Sequence, residues 1–151
     1  MRPSGKLLLT AVLGVMIAFG GSDPLIGTWK LNIAKSRFSG PVPQSQIRTY
    51  EAIPKGLIVT TITVDSLGKT STNSFPAQYD GTAFPVTGIA GATEMALRRV
   101  DERTATISLI HAGKMIANAE RVISPDGRTM TITFEGADAN PLNTVSIYDK
   151  Q

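Results

Sequence analysis

The residues of this chain that could do chemistry are few and far apart. Its single histidine, His111, sits in the four-residue turn signal His111-Ala112-Gly113-Lys114, and the chain has no cysteine. A histidine working as general acid or base must be oriented by a partner inside a cleft. A turn tip supplies neither, so no catalytic residue is assigned. One histidine without cysteine also falls short of the nitrogen and sulfur ligands that zinc takes. The acidic residues stand singly, with no D-x-D-x-D-G loop for calcium. Gly20-Gly21 and Gly88-Ile89-Ala90-Gly91 do not open a helix after a strand, as a phosphate loop must. The expectation is no metal and no cofactor.

Three polar side chains sit where an otherwise apolar interior could receive them. Arg99 shares strand parity with Met95 and Leu97. Arg121 shares it with Met115, Ala117 and Ala119. Tyr148 shares it with Thr144 and Ser146, in competition with Val145 and Ile147 for the inner face. A guanidinium buried without a partner is costly. An inward arginine therefore implies an anionic ligand or a carboxylate beside it, and the alternative is that both arginines point outward or rim the structure. Phe134 and Trp29 complete the set of candidate ligand-binding residues, Phe134 as the end of the apolar row Met130, Ile132, Phe134. For Trp29 a structural role stands beside direct ligand contact.

The elements that must position these groups follow from patterning. Arg2 and Lys6 precede an apolar run of 13 residues, Leu7 to Phe19, and small residues follow. This pattern predicts a signal peptide over residues 1–22, with cleavage near Gly20 or Ser22. A bilayer-spanning helix needs about 20 apolar residues, so no stable membrane insertion is expected once the signal is removed. The chain has 15 basic and 12 acidic residues. Arg2 and Lys6 leave with the signal, and thirteen basic residues against twelve acidic remain, a net of +1. The basic balance is thus partly an export feature, and with few, dispersed aromatics it points to no nucleic-acid partner. The expected location is periplasmic or secreted, and residues 23–151 suit one domain without disulfides.

After Asp23-Pro24, strand signals arrive every 8 to 14 residues, separated by turns such as Pro54-Lys55-Gly56, Asp65-Ser66-Leu67-Gly68 and Pro125-Asp126-Gly127-Arg128. Such turns provide the positive φ angles that hairpins need. Thr129, Thr131 and Thr133 alternate with Met130, Ile132 and Phe134, and Thr104, Thr106 and Ser108 with Ala105, Ile107 and Leu109. One face is apolar and the other wet, as in an antiparallel sheet around a core. Short turns favour consecutive hairpins. The prediction is an all-β fold, a single antiparallel up-and-down β-barrel of eight to ten strands, whose closure would remove exposed edges.

Gly27-Thr28-Trp29-Lys30-Leu31 resembles the opening strand of the calycin barrels, lipocalins and fatty-acid-binding proteins, in which the tryptophan of a G-x-W closes the barrel floor. Val145-Ser146-Ile147-Tyr148-Asp149-Lys150 is similar to the last strand of the fatty-acid-binding proteins. The stretch from Tyr79 to Gly88 resembles one common to secreted bacterial proteins described only as lipocalin-like. Two departures stand out. The fatty-acid-binding proteins carry an arginine two residues before the final tyrosine to grip a carboxylate, and Ser146 occupies that place. They also carry a helix-turn-helix lid between the first two strands, whereas only a Pro/Gly-rich loop separates Asn32 from Gln46. The resemblance implies a calycin-like barrel binding a small apolar or amphipathic molecule in its lumen. Two other readings remain open: a filled barrel acting as a protein-interaction module, such as a protease inhibitor with an N-terminal arm, and a cofactor-free isomerase or cyclase.

Overall fold

Threonine, isoleucine and valine alternate through most of the chain, and the computed structural model resolves that alternation into ten antiparallel strands. It describes residues 23–89, 91–136 and 143–151. The signal peptide expected over residues 1–22, and most of the loop expected from Gly136 to Pro141, lie outside the described residues. The strands are β1 (Gly27–Leu31), β2 (Ser45–Ile53), β3 (Gly56–Val64), β4 (Thr70–Ala77), β5 (Asp80–Pro85), β6 (Glu94–Arg99), β7 (Thr104–His111), β8 (Lys114–Ile123), β9 (Thr129–Gly136) and β10 (Thr144–Lys150). Every strand pairs with its sequence neighbour except β4 with β5, and β1 pairs with β10 to wrap the sheet round.

The expectation of full closure is therefore corrected at one seam. β4 and β5 share no ladder. Each carries a proline, Pro76 and Pro85, which cannot donate to a ladder and belongs on an edge strand, and β5 shifts register between Asp80 and Ala83. Side chains bridge the seam instead. The rings of Phe75 and Phe84 stand 5.7 Å apart, and Asn73 Nδ2 donates to the Gly88 carbonyl at 3.2 Å.

Turn chemistry fixes the hairpins. Ala112 and Gly113 both have positive φ, 49° and 74°, so the β7–β8 connection is a tight two-residue turn with His111 opposite Lys114. At Gly56 a side chain is impossible, because a Cβ would lie 2.2 Å from the Ala77 carbonyl oxygen. That close approach packs the β2–β3 turn against the end of β4.

The floor of the barrel is built on Trp29, which is fully buried. Its indole Nε1 donates to the Leu25 carbonyl at 2.9 Å. Lys150 Nζ lies 5.1 Å from the ring centroid and donates to the Pro24 carbonyl at 3.0 Å. The indole's one polar atom is thus satisfied inside the core, as burial demands. Between β1 and β2 there is a short 3₁₀ turn at Ile33–Lys35, capped by Asn32, in place of a helical lid.

Candidate ligand-binding site

The inner faces of the strands enclose a chamber of about 320 Å³. Its apolar wall is formed by Val59, Phe75, Met95, Leu97, Ile107 and Phe134. Its polar wall comes mainly from β2, β3 and β8, through Gln46, Arg48, Tyr50, Thr61, Thr63 and Arg121. A second chamber of about 190 Å³ adjoins it beneath Phe38 and Leu109, and Ser146 and Tyr148 face it from β10. Gln46, Arg48, Ile89 and Phe134 line both chambers and form the partition between them.

Arg121 is 4% exposed. Its Nη1 donates to the Tyr79 hydroxyl at 2.7 Å, and its guanidinium carbon stands 5.1 Å from the Tyr79 ring centre and 5.5 Å from that of Tyr50. Its Nε is buried and has no acceptor among the described residues. Arg48 is half-buried and enters from β2, one of the inward positions of the row Gln46, Arg48, Tyr50. Gln46 Oε1 accepts from Arg48 Nε at 3.2 Å and from the Tyr148 hydroxyl, while Gln46 Nε2 donates to Thr63 Oγ1 at 2.9 Å. The Arg48 guanidinium also lies 5.4 Å from the Tyr148 ring centre. Cation–π contacts of this kind orient a guanidinium without cancelling its charge.

The electrostatics agree with the geometry. Burial works against the charge of Arg48, but the hydroxyl oxygens of Tyr148 and Tyr50 outweigh it and push its pKa up. Burial raises the pKa of Tyr148, against the pull of Arg48. Burial likewise raises that of Tyr79, against the pull of Arg121. Both phenols therefore stay protonated and act as neutral hydrogen-bonding groups. No Asp or Glu lines either chamber, so among the described residues the two inward guanidiniums have no carboxylate partner.

Of the residues singled out from sequence, the structure brings Arg121, Phe134 and Tyr148 to the chambers. Val145 and Ile147 do not win the inner face of β10, where Ser146 and Tyr148 are buried. Arg99 stands at the floor, outside the lining of both chambers, with Nη2 2.6 Å from Asp23 Oδ2 and its guanidinium carbon 5.2 Å from the Tyr79 ring centre. Trp29 plugs the floor beneath and lines neither chamber. Met115 does not share the parity of Arg121: the β7–β8 register shifts at Leu109/Ile110, turning Ile116 toward the core and leaving Met115 45% exposed. The Asp23–Pro24 segment, expected to protrude if the barrel were an inhibitor, is tied down by Arg99 and Lys150.

Arg48, Gln46, Tyr50 and Tyr79 were not legible as site residues from sequence. All three tyrosines of the chain meet in this cluster.

No family model matches the chain, and no curated protein matches it. Solved structures do. A fatty acid binding protein of Schistosoma mansoni, in complex with arachidonic acid, aligns with a TM-score of 0.60 at 17% identity, over 87% of this chain and 99% of that one. As-p18, an extracellular fatty acid binding protein, aligns at 0.60 and 13% identity, over 85% and 97%. A variant of the fluorescent protein UnaG aligns at 0.57 and 13%, over 85% and 96%. Identities this low carry the architecture alone, and that architecture is a nearly closed, ten-stranded, calycin-type barrel.

Proposed function

We propose that this protein is an exported barrel that binds a small amphipathic molecule, with its apolar body against the Met95–Phe134 wall and its anionic end at Arg48 and Arg121. The observation that carries this reading is the pair of inward guanidiniums without a carboxylate. Enclosing charge in a protein interior costs several kcal/mol per ion unless it is paired, and an anionic ligand would supply the missing partner. A chamber of about 320 Å³ falls within the range of small-molecule sites. The similar folds of two fatty acid binding proteins, one of them extracellular, support the same class of ligand. Export rests on the Arg2/Lys6 region and the short apolar run that follows it.

Native mass spectrometry of protein recovered from the periplasm or medium tests both parts. The expected result is a chain beginning near Gly21 or Asp23, carrying a small molecule that is lost on denaturation. Met1 retained in a membrane fraction overturns the export, and failure to bind either a long-chain fatty acid or the matching alcohol overturns the carrier.

A further inference from the structure

Resting on that reading, we infer that the ligand's head group is a compact dianion, a phosphate monoester or paired carboxylates, and not a single carboxylate. The structure treats the arginine at the floor and the two that line the chambers differently. Arg99, at the floor, is neutralised by Asp23 at 2.6 Å. Arg48 and Arg121, inside the barrel, are given aromatic and amide neighbours only. Those neighbours hold the guanidiniums in place and leave their charge uncompensated. The phenols of Tyr79 and Tyr148 cannot serve as counter-ions, because burial keeps both protonated.

The two cations line the same, larger chamber. Tyr50, the next inward residue after Arg48 on β2, has the Arg121 guanidinium over its ring at 5.5 Å. The buried Nε of Arg121 has no acceptor among the described residues. Guanidinium forks match carboxylate and phosphate oxygens in pairs. A monocarboxylate brings one negative charge to two enclosed positive ones and leaves the second uncompensated. A head with two negative charges balances the site.

The test is calorimetric titration of the purified protein near pH 8, where a phosphate monoester carries close to two charges. The probes are hexadecyl phosphate, hexadecylmalonate, hexadecanoate and hexadecanol, with inorganic phosphate as competitor. The expected order places both dianions at least tenfold tighter than hexadecanoate, and hexadecanol weakest. Arg48→Met and Arg121→Met should each collapse that preference toward the carboxylate's affinity, in variants whose circular dichroism matches the parent. Strong competition by inorganic phosphate alone would assign the site to the free ion and overturn the lipid as its source. Equal or tighter binding of hexadecanoate overturns the dianion while leaving the amphipathic carrier standing. Equal binding of all four, or binding of none, overturns both.

Discussion

The guanidinium of Arg48 lies 5.4 Å from the ring centre of Tyr148, although β1 separates their strands in the sheet. Both groups converge on the same acceptor, Gln46 Oε1. The fatty-acid-binding proteins that this chain resembles reach their final tyrosine with an arginine from the same strand, two residues earlier. Here that position is Ser146, buried and neutral, and a guanidinium arrives from β2 instead. A cation thus stands beside the last tyrosine of this chain, supplied from β2.

Replacing Arg48 by methionine should weaken a long-chain fatty acid about ten- to hundredfold and leave the matching alcohol nearly unaffected. Hydrogen bonds to a charged group are worth about 1.5–3 kcal/mol, against about 0.5–1.5 for a neutral pair. Fluorescence displacement with both ligands reads the difference. Equal losses for acid and alcohol would show that Arg48 only shapes the chamber.

The strands were legible from sequence because their turns are chemically explicit, and β7 and β9 alternate cleanly. Arg121 was legible because Ala117 and Ala119 mark the inner face of β8. Arg48 was hidden by an inversion. In β2 the apolar Ile47 is 38% exposed on the outer face, while Gln46, Arg48 and Tyr50 turn inward, so reading apolar residues as interior selects the wrong side of the strand. Met115 misled for a different reason, since the bulge beside it shifts the period by one residue. The unpaired seam has only a weak trace in sequence, the prolines of β4 and β5.

Trp29→Ala should destabilise the domain by about 3–5 kcal/mol, the cost of emptying a large aromatic core site. Trp29 is fully buried, and its removal also orphans the Leu25 carbonyl that accepts from the indole. Denaturant unfolding followed by circular dichroism measures it. A loss well under 1 kcal/mol would mean that the floor re-forms without the indole.

Arg99→Met should cost little, within about 1 kcal/mol, because its pair with Asp23 is partly exposed and solvent screens such bridges. It should leave ligand affinity unchanged, since Arg99 lines neither chamber. A tenfold loss of affinity would mean that the floor transmits its charge to the lumen through Tyr79. His111→Ala, at an exposed turn tip, should change stability by no more than about 0.5 kcal/mol.

The tyrosines give the domain a defined alkaline limit. Burial holds Tyr148 and Tyr79 above the ordinary phenol value of 10.0 in the folded state. Unfolded, each loses its proton near pH 10, while the native chain keeps it to higher pH. The unfolded state therefore binds fewer protons in that window, and stability must fall as pH rises through it. Below about pH 10 the contribution is fully present and these groups produce no slope. Denaturant midpoints should thus be insensitive to the two tyrosines from neutral pH to about pH 10 and drop above it. Tyr79→Phe should flatten part of that alkaline drop. Ionisation of Tyr79 and Tyr148 with an ordinary midpoint near pH 10, with the circular dichroism spectrum intact, would show that both hydroxyls are open to solvent and that the cluster around Arg48 and Arg121 is wet.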